Sequence, residues 1–213
     1  MKQYNILDYG AIADGVTNNA AAIQQAIDEA SVEGGRVVIP QGRYLSGTLI
    51  LKSNIDFHLE KGAVLVSSLN EEDILDFARL FDDDNACTGW DGGCFLFACH
   101  EENITISGEG IIYGQGDKVF IDDDVDGGAH ECPLSVTAFR PRTTFLEDVT
   151  NLTVRDITIQ DAAFWTLHMA GCHHVRVQDI KILNDVRGAN NDGIDPDCCK
   201  DVLITGCLVK TGD

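Results

Sequence analysis

Short stretches that alternate apolar and polar positions recur along the chain, and each opens with a polar residue. Five of them start at positions 54, 103, 151, 174 and 201 and read NIDF, NITI, NLTV, HVRV and DVLI. This alternation predicts half-buried β-strands that place one face inward. A second short strand is predicted after several of them, at 110–112, 157–159, 180–182 and 208–209.

The intervals between these starts are 49, 48, 23 and 27 residues. We interpret the last two as single coils of a solenoid and the first two as double coils. A period of 20 to 30 residues without helices predicts a parallel β-helix, an all-β solenoid. A leucine-rich repeat would need a regular leucine spacing and an asparagine ladder, which we do not find. No internal domain boundary is evident, so we predict one domain over residues 1–213.

One α-helix is predicted near the N-terminus, because apolar residues there recur at helical spacing. They are Ala22, Ile23, Ala26, Ile27 and Ala30. The run 17–19 supplies N-cap residues, and Gly34 and Gly35 supply a stop. Since a solenoid must cover the open edge of its first coil, we expect this helix to act as the cap.

Charge narrows the classes of partner. The net charge is −20, from 35 acidic and 15 basic residues, so nucleic acid binding is excluded.

No apolar run approaches the ~20 residues that cross a bilayer, so no membrane partner is expected. Residues 1–8 lack the apolar core of a signal peptide, which predicts a cytoplasmic protein, or a secreted one whose leader has been removed. The pattern does not indicate an oligomeric state.

The eight cysteines contain no CxxC pair, and without an export signal we expect reduced thiols that pack as small apolar side chains. We predict no metal site and no cofactor. Two acidic stretches, 71–93 and 117–131, are predicted to be long loops, and neither fits the EF-hand pattern.

Carboxylates give the sharpest chemical signal. Three fall within six residues, at Asp192, Asp195 and Asp197, and Asp213 lies 21 residues after Asp192, close to one coil. Residues one coil apart share a face, so we expect Asp192 and Asp213 side by side. Two close carboxylates repel each other, so the pKa of one is raised and that group stays protonated while the other is ionised. Glycoside hydrolysis requires such an acid and such a base. Aspartates are also common in solenoid turns, and spacing alone leaves both interpretations open.

The run Asn190–Asp195 resembles the Asn-Thr-Asp-Gly-Ile-Asp motif of glycoside hydrolase family 28, the polygalacturonases. Gly212 and Asp213 resemble the first two residues of that family's Gly-Asp-Asp motif. The segments 164–168 and 139–142, which include Arg140 and Arg142, are similar to segments upstream of the site in bacterial members. The opening segments 8–11 and 14–17 resemble the start of pectate-lyase-like β-helices generally.

The resemblance implies a right-handed β-helix that binds and hydrolyses pectic chains of α-linked galacturonic acid with inversion and without metal. It implies Asp213 as the general acid and Asp192 as one of two aspartates that activate water. It also suggests Asn190, His168 and Trp165 as substrate contacts, although His168 and Trp165 also fit a packing role. Asn191 replaces the usual threonine, and we expect little consequence.

The family's later Gly-His-Gly and Arg-Ile-Lys motifs have no counterpart here. We therefore expect the domain to be incomplete at its C-terminus and inactive by itself. Two further classes stay open. One is a pectate-lyase-like β-elimination, which forms a product that absorbs ultraviolet light. The other is a non-catalytic solenoid that binds glycans. A rhamnogalacturonan hydrolase of the same family is a third possibility.

Overall fold

The computed structural model describes residues 1–75, 93–123 and 134–213. In chain order, the strands are β1 (Lys2–Asn5), β2 (Asp14–Asn18), β3 (Gly35–Ile39), β4 (Gly42–Ser46), β5 (Leu49–Ile50), β6 (Ile55–Leu59), β7 (Ala63–Ser67), β8 (Cys94–Cys99), β9 (Thr105–Gly108), β10 (Ile111–Tyr113), β11 (Phe120–Ile121), β12 (Ser135–Val136), β13 (Arg142–Glu147), β14 (Thr153–Arg155), β15 (Thr158–Gln160), β16 (Leu167–Ala170), β17 (His173–Gln178), β18 (Lys181–Leu183), β19 (Ile194–Asp197), β20 (Lys200–Thr205) and β21 (Leu208–Lys210). Helix α1 spans Ala20–Glu33, and 3-10 turns cover Ile6–Tyr9, Glu71–Asp73 and Gly116–Lys118. Most of the two predicted acidic loops lies outside the described residues.

Three parallel sheets run along the molecule, because each strand pairs with the equivalent strand one coil later. The first sheet has the order β1-β3-β6-β9-β14-β17-β20, the second β2-β4-β7-β10-β15-β18-β21 and the third β5-β8-β13-β16-β19. A coil takes one strand from each sheet in turn, as β14, β15 and β16 do. The predicted right-handed parallel β-helix is confirmed. The antiparallel pair β11 and β12 lies between β10 and β13 in the chain.

The prediction that the two longest intervals each hold two coils is wrong. Asp56 is the Cα partner of Thr105, and Thr105 is the partner of Thr153, so each interval is one coil. The additional residues lie in the connections from the second sheet to the third, at 68–93 and 114–141. Loop insertions outside the strands lengthen the repeat without adding a layer to the stack.

Helix α1 covers the first open edge, as predicted. It buries Ile23, Ala26, Ile27 and Ala30 against the core. Gln24 completes the cover, since its Nε2 donates to the Ile50 carbonyl at 2.9 Å and its Oε1 accepts from the Ile50 amide at 2.8 Å. The backbone of edge strand β5 is therefore satisfied by a side chain rather than left open to another chain.

The predicted run 17–19 supplies the cap of the helix, through Asn18 rather than Asn19. Asn19 precedes the helix, but its side chain makes no cap bond to the helix amides. The side-chain Oδ1 of Asn19 instead accepts from the Ile12 backbone amide at 2.6 Å, and Nδ2 donates to the Leu45 carbonyl at 3.1 Å. Asn18 takes the role at the helix start, because its Oδ1 accepts from the Ala20 amide at 3.0 Å.

The polar residue that opens each repeat has a positive φ. The φ angles are 63° for Asn54, 56° for Asn103, 59° for Asn151, 56° for His174 and 56° for Asp201. Asparagine and aspartate tolerate this left-handed region better than other side chains. The structure also contains a short asparagine ladder that was not predicted. Asn103 Nδ2 donates to Asn54 Oδ1 at 2.9 Å, and Asn151 Nδ2 donates to Asn103 Oδ1 at 3.0 Å.

The core is a set of apolar stacks that run through successive coils. One stack in the first sheet consists of Val37, Phe57, Ile106, Val154 and Val177, all at most 1% exposed. Burial of this apolar surface is the main stabilising term of a solenoid. The next residue of the stack, Ile204, is 41% exposed, and Val209 in the second sheet is 44% exposed.

The cysteine prediction is confirmed in part. Cys94 and Cys172 are buried thiols, as expected. Cys198 is exposed, because it occupies a turn with φ 51° after β19 rather than a strand. Cys87 and Cys132 lie outside the described residues. No helix in the described part of the chain is long and apolar enough to span a bilayer.

Candidate active site

The candidate site lies at the last coil of the third sheet, where the run 190–195 enters strand β19. The Asp192 carbonyl accepts from the Thr166 amide at 3.0 Å, and the Gly193 carbonyl accepts from the Leu167 amide at 3.1 Å. These bonds continue the parallel ladder toward β16 and fix the level of Asp192 in the stack. Alternation along β19 then places Asp195 beside His168, its Cα partner. His168 thus lies one coil before Asp195 rather than before Asp192.

Three carboxyl groups share this region. Burial raises the pKa of Asp192, and the charge of Asp213 raises it further. Burial also raises the pKa of Asp195 to about 6, with added repulsion from Asp192 and Asp213. The predicted proximity of Asp192 and Asp213 appears as an effect of the Asp213 charge on the pKa of Asp192. Asp195 was missed as a site residue, although it stands in the same motif, because its raised pKa comes first from burial, which sequence spacing does not reveal.

Two of these carboxylates have an oxygen that is hidden from solvent and makes no hydrogen bond within the described residues. They are Asp192 Oδ2 and Asp195 Oδ2, and His168 Nδ1 is in the same condition. A buried polar atom without a partner costs free energy, and such atoms are rare outside functional sites. These three atoms lie on the last two coils beside the third sheet, around the pair His168 and Asp195.

His168 sits between two aromatic rings. Its ring centroid is 4.9 Å from that of Phe145 and 4.9 Å from that of Trp165, which meets it edge-on. The side chain is 8% exposed. Burial, helped by the positive charge of Arg142, lowers the pKa of His168 to about 4, so the imidazole is neutral at neutral pH. A neutral ring can donate one hydrogen bond and accept another, but it brings no charge to a uronate.

Trp165 belongs to a cluster of rings and guanidinium groups. It stacks on Phe164 at 5.2 Å, and the Arg142 guanidinium lies 5.3 Å from its ring centroid. Arg140 lies 4.4 Å above the Phe164 ring. Cations over aromatic faces stabilise one another in this way. The half-buried Trp165 therefore has a packing role, and its predicted contact with substrate stays a prediction.

Asn190 lies on the loop that leads to the site and has φ 54°. Arg140 holds it there, because Nη1 donates to the Ala189 carbonyl at 2.5 Å and Nη2 to Asn190 Oδ1 at 3.2 Å. Its side chain is exposed beside an open cavity of about 280 Å³ formed by residues 186–190, Gly212 and Asp213. A cavity of this size accommodates part of a sugar chain. Contact between Asn190 and substrate stays a prediction.

A buried polar network supports the loop from below. Asn184 donates from Nδ2 to Thr166 Oγ1 at 2.8 Å and to the Asn191 carbonyl at 3.0 Å, and its Oδ1 accepts from the Ala162 amide at 2.9 Å. Thr166 Oγ1 also donates to the Asn191 carbonyl at 3.2 Å. Satisfied networks of this kind fix a single backbone arrangement. Over residues 1–75, 93–123 and 134–213, no group of three or more potential ligands could hold a metal ion.

Comparison with known proteins gives two family matches. The model of "Glycosyl hydrolases family 28" matches residues 36–213, and that of "Rhamnogalacturonase A/epimerase, pectate lyase-like" matches residues 3–68. The chain is 29% identical over 219 residues to "Probable polygalacturonase" of Vitis vinifera, covering 98% of this chain and 42% of the relative. It is 28% identical over 193 residues to plasmin and fibronectin-binding protein A of Streptococcus pneumoniae, and this match covers 84% of this chain and 24% of that relative.

Among solved structures, a hyperthermoactive exopolygalacturonase from Thermotoga maritima superposes with a TM-score of 0.79 at 26% identity. The match covers 99% of this chain and 53% of that chain. The chain thus spans about half, or less, of the length of these relatives. The family match itself includes all three carboxylates of the candidate site.

Proposed function

Because the chain belongs to family 28 of the glycosyl hydrolases, we propose that it supplies the acidic part of a site that hydrolyses chains of α-linked galacturonic acid. The observation that carries the proposal is the coupled pair Asp192 and Asp213, one coil apart. Burial and the Asp213 charge both raise the pKa of Asp192. Two carboxyls at one site can divide the roles of acid and base. The roles proposed below follow the family motif, because the raised pKa of Asp192 by itself favours the protonated form of that group.

In the proposed reaction, Asp213 protonates the glycosidic oxygen as the bond to the anomeric carbon breaks. Asp192 removes a proton from a water molecule that attacks the same carbon from the opposite face, so the configuration inverts. Asp195, with its pKa of about 6, keeps its proton through the acidic range and can donate a hydrogen bond there. No metal is needed, because the carboxyls perform both proton transfers.

The substrate contacts follow from the surroundings of the acids. We propose that the ring of His168 contacts the sugar at its slightly exposed edge, and that Trp165 and Asn190 bound the sugar at the sides. The net charge of −20 opposes an anionic chain at long range. Arg140 lies over Phe164 and donates to the loop at 189–190, and Arg142 lies over Trp165, so both place positive charge at the aromatic cluster, which supports short-range attraction for a uronate.

The test is turnover of polygalacturonate by the full-length protein. Hydrolysis predicts release of reducing sugar, no product that absorbs in the ultraviolet and no loss of activity with a chelator. Proton NMR of the first products should show the β anomer if the reaction inverts. An unsaturated product, or inhibition by chelator, would instead indicate β-elimination and refute the proposal.

We propose further that residues 1–213 do not turn over substrate alone. The chain covers 42% of the relative from Vitis vinifera, and the family's Gly-His-Gly and Arg-Ile-Lys motifs have no counterpart in residues 1–213, which supports this. Measurable hydrolysis by the 213-residue chain under conditions where the full-length protein is active would refute this part.

A second candidate is a solenoid that binds without catalysis. The relative from Streptococcus pneumoniae is named for binding plasmin and fibronectin, and its match includes much of this chain. The discriminating result is simple. A binding solenoid would release no reducing sugar from any pectic chain, and replacing Asp192 or Asp213 by asparagine would not change its binding.

A further inference from the structure

Asn191 is fully buried between two coils, and its side-chain amide joins them. Nδ2 donates to the Asp185 carbonyl at 2.9 Å, within its own loop. Oδ1 accepts from the Gly212 amide at 2.9 Å on the following coil. Thr211 Oγ1 of the same coil lies 3.1 Å from Oδ1 and donates to the Asn191 carbonyl. One side chain therefore satisfies backbone groups on both sides of the site.

Two glycines leave room for this amide. A Cβ at Gly188 would lie 2.2 Å from Asn191 Nδ2. A Cβ at Gly212 would lie 2.4 Å from the Gly188 carbonyl oxygen and 2.9 Å from Asn191 Oδ1. Both distances are too short for real contacts, so the two backbones approach each other only because neither residue has a side chain.

The residues joined by this bond each precede a carboxylate. Asn191 is followed by Asp192, and Gly212 is followed by Asp213. We propose that Asn191 is a positioning residue that sets the separation of Asp192 and Asp213 by clamping the Gly212 amide to the 185–191 loop. This inference rests on the proposed function, because the separation matters only if the two carboxyls act on one bond.

Threonine, the residue of the family motif at this place, cannot replace the clamp. Its hydroxyl donates and accepts at a single oxygen on Cβ. The Asn191 amide instead donates from Nδ2 to the Asp185 carbonyl and accepts at Oδ1 from the Gly212 amide, two places that one oxygen does not span. The backbone would still be held, since the Asn191 carbonyl accepts from Asn184 Nδ2, Thr166 Oγ1 and Thr211 Oγ1. An Asn191→Thr variant should therefore fold and keep its loop, but lose the link to Gly212.

The experiment compares Asn191→Thr with Asn19→Thr in the full-length protein. Asn19 is a matched control, because it is also a buried asparagine that bonds to backbone groups, but it lies at the opposite end of the solenoid. We expect a lower melting temperature in both variants. Only Asn191→Thr should lower kcat, by roughly tenfold or more with KM nearly unchanged, since small displacements of catalytic groups are costly.

Hydrogen exchange of the Gly212 amide gives a readout that does not depend on activity. Exchange should accelerate in Asn191→Thr and not in Asn19→Thr. In a second variant, Gly188→Ala, the added Cβ would displace the Asn191 amide. This variant should also lower kcat and accelerate exchange of the Gly212 amide. Unchanged Gly212 exchange, or a kcat within about twofold of wild type, would overturn the proposal. If the wild type shows no hydrolysis, the proposed function fails, and the clamp has no catalytic role. The exchange of the Gly212 amide still shows, independently of activity, whether Asn191 holds that amide.

Discussion

His168 and Asp195 are Cα partners in β16 and β19, and each is shifted toward its uncharged form. The pKa of His168 is lowered to about 4, and that of Asp195 is raised to about 6. Burial is the first cause of both shifts, so the two groups do not form an ion pair at any pH between these values. The site thus holds a neutral imidazole beside a carboxyl that keeps its proton in mildly acidic solution.

The first prediction concerns Asp195 and stability. Its folded pKa of about 6 lies above the unfolded value of about 3.9, so the folded state binds more protons between these values. Stability therefore falls as pH rises from about 4 to about 6. Asp195→Asn removes this loss and should raise the melting temperature at pH 8, by about 2–4 °C for each kcal/mol gained.

Denaturation of wild type and Asp195→Asn at pH 4 and pH 8 checks this. The gain should be present at pH 8 and absent at pH 4, where the wild-type carboxyl is already protonated. A variant that is less stable than wild type at pH 8 would show that the ionised carboxylate has a stabilising partner.

The second prediction concerns His168 in acid. Its folded pKa of about 4 lies below the unfolded value of about 6.5, so the unfolded state binds more protons between them. Stability is then lost as pH falls through this range. His168→Phe keeps the ring between Phe145 and Trp165 and should lose less stability between pH 7 and pH 4.5 than wild type. The exposed His174→Asn serves as control and should follow wild type in the same urea titrations.

The third prediction concerns the inner stack. Phe57 is fully buried and meets Val37 and Ile106 on the neighbouring coils. Phe57→Ala should cost about 3–5 kcal/mol of unfolding free energy, because it leaves a cavity. The hydrogen bonds between neighbouring coils fix their spacing, so the coils cannot move together to fill it. Phe57→Leu should cost much less, about 1.5 kcal/mol or below. Equal losses in denaturant unfolding would contradict the stacking described here.

The fourth prediction concerns the asparagine ladder. Asn103 has φ 56° and bonds to Asn54 and Asn151. Asn103→Ala loses both bonds and keeps a Cβ in the left-handed region without the polar side chain that lets asparagine tolerate it, at a cost of about 1–2 kcal/mol. Asn103→Gly loses the same bonds without the backbone strain, so it should be the more stable variant. The difference in unfolding free energy between the two variants isolates the backbone term.

Much of the fold could be predicted, because residues that stack inside the solenoid must be apolar and therefore alternate with polar residues along each strand. The starts at 54, 103, 151, 174 and 201 all fall just before or within strands of the first sheet, in the order of the sheet. The polar first residue of each repeat is explained by its positive φ. The count of coils was not predictable from the intervals, since a loop of any length can enter between two strands without changing which residues stack.

The site was predicted as far as a one-coil shift can be counted. Asp192 and Asp213 differ by 21 residues and interact, as counting implies. Asp195 and the clamp of Asn191 were missed, because each depends on how the chain crosses between coils. The pairing of Asp195 with His168 and the Gly212 contact of Asn191 are set by backbone register, which sequence spacing alone leaves free.

The most direct test of the account is turnover of polygalacturonate by Asp192→Asn, Asp213→Asn and the control Asp201→Asn in the full-length protein. Asp201 is an exposed aspartate with φ 56°, a conformation that asparagine adopts equally well. Loss of an acid or base should lower kcat by about 10²–10⁴-fold in the first two variants, while Asp201→Asn keeps the wild-type rate. Wild-type rates in either Asp192→Asn or Asp213→Asn would contradict the account.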